Sequence, residues 1–572
     1  MEPTVAQKPD SRTKKQRAEK RWGALKSERA PWLTDYQEVA DFLFPRGGRF
    51  FTEDRNKGSQ RSRVIHNETA TQDLETLESG MMSGATSPAR PWFRLDTRDP
   101  ELAKLQPVRQ WLDDVTDLIL RVFNKSNTYT ALHGIYGQLG AFGTGASIVL
   151  PDFENVIHHY PVPVGEYCIG QNSKGRVDTF YREFQMTVAQ VVHEFGWDNA
   201  SLSTKSRWNS EDLDGWVTVL HAIEPRRDRD PNLKDAKNMP WSSCYYEVGT
   251  DGDKPLRESG FRRFPVLVPR WTVLGSDSYG ISPGMKAMGT IKGLQFKERS
   301  KADAIALKID PPLVVPQTMT NRELDAHPGG RTTGDASTTT GVRTLYEVNL
   351  DLSDLREDII RSEERIHRSF FADLFRMLSM QGQDARMTAT EVAERHEEKL
   401  IALGPVLERL HNELLAPLVE MTFEIMLEMG MLPPPPEELS GQDVSPEFIS
   451  MLAQAQRAIG TNSIDRFVGS LGMVAQMKPE VLDNFDADKW ASEYGDMLGV
   501  PAALRIDPAD VAALRTARAK AMAAKEQAAA MREQAATAKD LAAAPTGGEQ
   551  QTALTDILNQ FSGYGSPSPS QV

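Results

Sequence analysis

A chain of 572 residues is several times longer than one hydrophobic core needs, so two to four structural units are expected. Its 40% apolar and 26% charged residues make an ordinary globular balance, and no run of 18 apolar residues marks a membrane span. The net charge of −14 argues against gripping nucleic acid by bulk electrostatics, although an acidic protein can surround DNA without holding it.

The opening "MEPTVAQKPDSRTKKQRAEKR" is polar and basic without an apolar core, so it is not a secretory signal. Residues 1–30 carry nine Lys or Arg against four acids. A solvated, partly disordered arm is expected there, with nucleic-acid contact as the alternative. In "APWLTDYQEVADFLFPRGGRF", Trp32, Tyr36, Val39 and Leu43 fall at helical spacing, and Pro45 stops the helix. Residues 68–83 and 107–123 read as two more amphipathic helices, the second with Trp111, Val115, Leu118 and Val122 on one face.

From Ser147 the period becomes strand-like. "SIVLPDF", "VIHHYPV", "EYCIG" and "VDTFYREFQM" alternate and are separated by turn residues. Thr187 and Gln190 form a T-x-x-Q capping box for "VAQVVHEFG". Further strands are expected at 215–224, 243–248 and 256–273, with Asp251-Gly252 as a hairpin turn. Residues 1–283 therefore read as an α+β domain, and the fold class as α+β, mainly α. Cys168 and Cys244 are expected to be free thiols of a reducing compartment.

Residues 284–309 read as a long helix, with Met288, Ile291, Ala302, Ile305 and Ile309 on one stripe and Pro311-Pro312 at its end. The region 310–350 is Gly/Thr/Ser-rich and loop-like. A second long helix is expected over 351–378, lined by Leu352, Leu355, Ile359, Ile366, Phe370 and Leu374. The stretch "SMQGQDARM" then has no regular pattern, and 379–388 reads as a loop. Thr388 and Glu391 form a T-x-x-E box that opens a very long helix, 389–430, whose apolar face continues through Gly404-Pro405. It reads as one helix kinked at Gly404 and Pro405, on the order of 60 Å long and ended by Gly430 and "PPPP". Residues 437–500 promise two or three further helices, separated at Gly460 and at Lys478-Pro479. Residues 502–545 form an Ala-rich helix with few large apolar side chains, and 546–572 read as a disordered tail.

Signals for catalysis are weak. There is no phosphate-cradling G-x-x-x-x-G-K-[ST]. "GQLGAFGTGAS" (137–147) lacks nucleotide-binding spacing and reads as a turn entering a strand. His158 and His159 should face opposite sides of their strand, which disfavours a shared metal. No C-x-x-C or H-E-x-x-H pairing and no acid/base pair stands out, so neither enzyme activity, cofactor nor metal is expected.

The order of long helix, polar region, long helix, short loop and kinked helix resembles the portal, or head-to-tail connector, proteins of short-tailed bacteriophages. The stretches that carry the resemblance are "RWGALKSERAPWLTDYQEVADFLFP", "GEYCIGQNSKGRVDTFYREFQMTVAQVVHEFG", "SYGISPGMKAMGTIKGL" and "RMTATEVAERHEEKLIALGPVLERLHNELLAPLVEMTFEIMLEMGMLPPPP". They span roughly residues 20–500; the extreme N-terminus and the Ala-rich end lie outside them. The resemblance implies a ring, dodecameric in the family, at one capsid vertex, with double-stranded DNA passing through its channel in packaging and ejection. It implies wing (1–283 and 389–430), stem (284–309 and 351–378), clip (310–350), tunnel loop (379–388) and crown (431–501), with 502–545 as a possible barrel. Gln381, Gly382, Gln383, Asp384 and Arg386 then become the residues nearest DNA. The implied partners are the major capsid protein, the terminase packaging motor, and tail adaptor and nozzle proteins, with no membrane. The implied location is the virion, after synthesis in the host cytoplasm. Competing readings are another phage structural protein, such as an adaptor or scaffold, and a DNA-processing enzyme. The sheet region disfavours a scaffold, the length an adaptor, and the missing nucleotide motifs an ATPase.

Overall fold

The computed structural model describes residues 12–50, 62–309, 313–314, 343–344, 353–379, 403–439, 444–450 and 508–543, apart from a few single residues near 98–104, 234 and 251, together with parts of 467–494. It divides into two compact units, 1–498 and 499–572. The fold is α+β and mainly helical.

Helix α1 spans Lys14–Phe42 and starts seventeen residues before Pro31, deep inside the basic stretch expected to be a disordered arm. Two features account for the difference. Thr13 and Gln16 form a complete capping box, which satisfies otherwise orphaned N–H groups. Ala18, Trp22, Leu25 and Arg29 also recur at three- and four-residue steps and are buried, a stripe that the surrounding cations conceal in the sequence. Trp22 donates from Nε1 to Glu183 (3.0 Å) and stacks on Tyr181, while the Arg29 guanidinium donates to the carbonyls of Gly165 and Tyr167.

The surface that receives α1 is a five-stranded antiparallel sheet. Its strands are β4 (Tyr167–Gln171), β5 (Val177–Thr187), β6 (Trp216–Pro225), β7 (Trp241–Glu247) and β8 (Arg257–Phe261), in that order. Cys168, Tyr181, Ala222 and Cys244 pair successively across four strands. Both cysteines are therefore buried free thiols in one row, separated by two intervening strands. The opposite face carries Val217, Val219 and Tyr245 against α5 (Val188–Phe195), which begins at the expected Thr187–Gln190 capping box. The connection from β7 to β8 covers 248–256, and Asp251 of the expected hairpin turn lies outside the described residues.

The main core combines α2 (Thr69–Ala85), α3 (Gln106–Lys125), α4 (Thr128–Phe142) and a smaller sheet of β3 (Val156–Val162), β2 (Ala146–Asp152) and β9 (Val266–Leu267). Helix α4 corrects the reading of 137–147 as a turn. Gly137 and Gly140 are helical and lie against α2, where an added Cβ on Gly140 would meet Leu74 and Leu77 at 2.7 Å. Only Gly143, at φ 76°, ends the helix in the left-handed conformation favoured for this cap. His159 is buried and His158 is partly exposed, the alternation expected of their strand.

A further strand was not foreseen. Val444–Phe448 pairs antiparallel with β1 (Phe93–Thr97), although 437–500 read as two or three helices with no strand among them. The packing explains it: Phe448 stacks on Trp92 and on His411, so this segment seals the main core. A helical stretch at 467–475 does match the expectation.

Helix α7 (Pro283–Ile309) is capped by buried Ser282, whose Oγ accepts from Met285 N at 2.8 Å. It packs along α8 (Ser353–Ser369), where Lys297 reaches Asp358 at 2.6 Å and Ser362 at 3.0 Å. Beyond them, Leu313–Val314 and Arg343–Thr344 pair antiparallel. The expected single helix over 351–378 is broken. Helix α8 ends at Ser369, Phe371 takes φ 55°, and α9 runs from Ala372 to Ser379. The break turns α9 onto α2, which lets Phe370, Leu374 and Phe375 all be buried. Gly80 makes the approach possible, since a Cβ there would meet the Phe375 ring at 2.2 Å.

In the second unit, Pro508–Ala543 is one helix, and its side chains from 512 to 537 are exposed. This matches the expected Ala-rich helix, which has too little apolar surface to build a core.

Candidate functional site

Gln381, Gly382, Gln383, Asp384 and Arg386, expected to lie nearest DNA, fall in the segment 380–402, outside the described residues, as does the Thr388–Glu391 capping box. The structure describes what holds the two ends of that segment, and both ends are fixed by buried charge.

The first anchor is Asp73 of α2. Its side chain is fully buried, yet it sits on the apolar stripe of α2 beside Ala70, Leu74 and Leu77. One carboxylate oxygen accepts from Nδ1 of His367 in the last turn of α8 at 2.6 Å. The other takes the Arg376 guanidinium of α9 at 2.9 Å. One carboxylate therefore spans the break at Phe371. Burial raises the pKa of Asp73, while the charges of His367 and Arg376 oppose the rise. Nearby, the Gln295 amide of α7 accepts from His66 N and Asn67 N (2.6 and 2.9 Å) and donates to Asn67 O. Asn67 donates in turn to Glu363 of α8 at 2.9 Å. The approach to α2 is thus tied to both α7 and α8.

The second anchor lies beyond 402. Residues 403–410, which contain Gly404 and Pro405, are α-helical; His411–Leu415 form a π turn; and the α-helix resumes as Ala416–Glu428. The irregular hydrogen bonding therefore falls seven residues after Gly404, immediately before Pro417. Pro417 lacks an N–H, and its ring would crowd the carbonyl four residues earlier. Widening the turn, with Ala416 N bonded to His411 O, accommodates it. Glu413 sits inside this turn. Arg270 grips its carboxylate from the backbone N (2.9 Å) and from Nη2 (2.7 Å), and Arg409 adds a contact at 3.1 Å. Arg270 also donates to Gln171, to Gly175 O and to Ser278 O, and its side chain is only 2% exposed.

Sequence reading missed these residues, although each leaves a trace. Arg270 is a lone cation in the apolar run "FPVLVPRW", and Asp73 is an acid on an apolar helical stripe. Either needs a buried partner to be tolerated. Among the described residues no group of three or more metal-ligating side chains is assembled, and no helix is long and apolar enough to cross a membrane.

Residues 15–505 match the family of bacteriophage head to tail connecting proteins, and the chain belongs to that family. The probable portal protein of Bordetella phage BPP-1 is 53% identical over 545 residues, covering 95% of this chain and 98% of that one. The portal protein of Salmonella phage epsilon15 is 43% identical over 550 residues, covering 96% and 98%. Among solved structures, a chain in the neck of an empty gene transfer agent particle aligns over 80% of this chain and 96% of its own, with 12% identity and a TM-score of 0.33. A chain of the native gene transfer agent virion aligns over 81% and 99%, with 10% identity and the same TM-score.

Proposed function

We propose that this chain is a portal subunit, twelve copies of which form the ring at one vertex of the phage capsid. Double-stranded DNA passes through the ring during packaging and ejection. The observation that carries this reading is likeness at 53% and 43% identity, over nearly whole chains, to two proteins named as portals. In this reading the chain is a structural component of the virion and not an enzyme. It is made in the host cytoplasm and built into the capsid with the major capsid protein. It then meets the terminase motor and, later, the tail adaptor and nozzle proteins. The α+β body and the helix through Gly404 and Pro405 form the wing, α7 and α8 the stem, 310–350 the clip, 431–501 the crown, and 502–545 a C-terminal barrel.

The segment 379–388 is the tunnel loop, and Arg386 is its phosphate contact, supported by Gln381 and Gln383. The two anchors support this assignment, because they fix both ends of 380–402 to the body. Electron microscopy of the purified chain tests the whole reading. Closed twelve-fold rings with a central hole are expected, and monomers or open filaments would overturn it. Deleting 381–384 tests the loop separately. Rings should form normally, while DNA per assembled head should fall; equal filling and retention would reduce the loop to a connector.

A further inference from the structure

Between the N-terminal half of α1 and the five-stranded sheet lies a cleft of about 490 Å³. Seven cationic and three acidic side chains line it, in a chain whose net charge is −14. The acids leave part of this charge uncompensated. Glu258 takes both Lys14 (2.7 Å) and Arg226 (3.1 Å), and Asp228 stands 3.8 Å from Arg17. Lys20, Arg21 and Arg227 are exposed and have no ion-pair partner among the described residues. Arg226 is the deepest cation. Its side chain is 9% exposed, its two terminal nitrogens are bonded to Glu258 and Ser259 O, and its Nε–H has no acceptor. A buried donor without an acceptor is costly and rare in native proteins.

We propose that this cleft is a binding site for a phosphate-bearing polyanion. The cations that remain unpaired repel one another and their neighbours, a cost that a bound anion would offset. Lys14, Arg17 and Arg21 follow at three- and four-residue steps along one face of α1, and Arg226 and Arg227 approach from the end of β6. Most of the cations are arginines, whose forked donors match phosphate oxygens. Three unpaired cations beside one cleft suit a ligand with several closely spaced charges better than one carboxylate. The volume lies within the roughly 300–1,000 Å³ of small-ligand sites, which suits a nucleotide or a short run of single-strand backbone and not a duplex. A nucleoside triphosphate and a single strand share this chemistry, and the test separates them.

The full-length chain is titrated with ATP and, separately, with a short fluorescent single-stranded DNA, over a range of salt concentrations. The variant K20A/R21A/R227A removes only exposed side chains and should keep the wild-type thermal midpoint. It should bind the probe more weakly, with the dependence of log affinity on log salt shallower by about 2 if all three side chains meet phosphates. The control variant K520A/K525A/R532A removes equal charge from the exposed C-terminal helix and should bind as wild type does. Binding of ATP that displaces the strand assigns the site to free nucleotides; binding of the strand alone assigns it to the nucleic-acid backbone. The proposal fails if neither probe binds, if the cleft variant matches wild type, or if the control loses as much. Displacement by polyglutamate as effective as by ATP would also overturn it, since the cleft would then read carboxylates.

Discussion

Arg270 and Glu413 form a buried ion pair that joins the end of the smaller sheet to a π turn, with the guanidinium 2.7 Å from one carboxylate oxygen and the Arg270 backbone N–H 2.9 Å from the other. The pair occurs where helical hydrogen bonding is already perturbed by Pro417, so the irregular turn and the sheet are fixed by the same contact. Glu413→Ala should destabilise the chain by about 3–5 kcal/mol, because Arg270 would be left buried and uncompensated. The double variant R270M/E413L should recover much of that loss. Thermal unfolding of the three proteins measures both effects, and an unperturbed single variant would show that Gln171 and the two carbonyls suffice for Arg270.

Asp73 spans a broken helix in the same manner. Asp73→Ala should free α9 from α2 and raise amide exchange in Ala372–Ser379 well above that in α8, because Arg376 and His367 lose their shared partner. Equal protection of the two helices in the variant would assign the break to apolar packing alone.

Gly80 is required by the same junction. Gly80→Ala places a methyl group about where the Phe375 ring lies, and overpacking of this kind costs about 1–3 kcal/mol. A midpoint equal to wild type would mean that α9 moves aside freely. Gly80→Ala combined with Phe375→Ala distinguishes the two cases, because the clash should vanish and a cavity penalty should replace it.

Glu78 makes stability depend on pH. Burial, and secondarily the charge of Glu75, pushes its pKa up to about 7 from an ordinary 4.5. The folded state therefore holds a proton that the unfolded chain releases. The contribution is present below about pH 4.5 and is lost as pH rises towards 7. Glu78→Gln should then be more stable than wild type at pH 8, by on the order of 2–3 kcal/mol, and nearly equal to it at pH 4. A stability difference that does not change with pH would refute the shift.

Much of the chain was legible because its apolar periods are clean. The strands from Ala146 to Thr187, the Thr187–Gln190 cap and α7 appear where alternation and capping chemistry place them. The misses share a physical cause: local pattern was overruled by a distant surface. The N-terminal half of α1 is helical because Trp22 and Leu25 meet the sheet, a contact that charge density hides. Residues 444–448 are a strand because β1 offers an unpaired edge. The break at Phe371 serves packing on Gly80, nearly three hundred residues earlier in the chain. The anchors were invisible for a related reason, since Asp73 and Arg270 look like isolated charges until their partners are known.

The pairing of β1 with Val444–Phe448 also sets an order of events during synthesis. Phe93 and Trp92 leave the ribosome some 350 residues ahead of the strand that covers them. At 5–20 residues per second, roughly 20–70 seconds pass before Phe448 is available. Throughout that interval the edge of β1 and its aromatic cluster lack the strand that covers them in the folded chain. The five-stranded sheet with α1 is complete in the nascent chain well before then. The strand Val444–Phe448 thus acts as a timer: the main core closes only after α7, α8 and the π turn have all been made, and a chain released early keeps an adhesive edge.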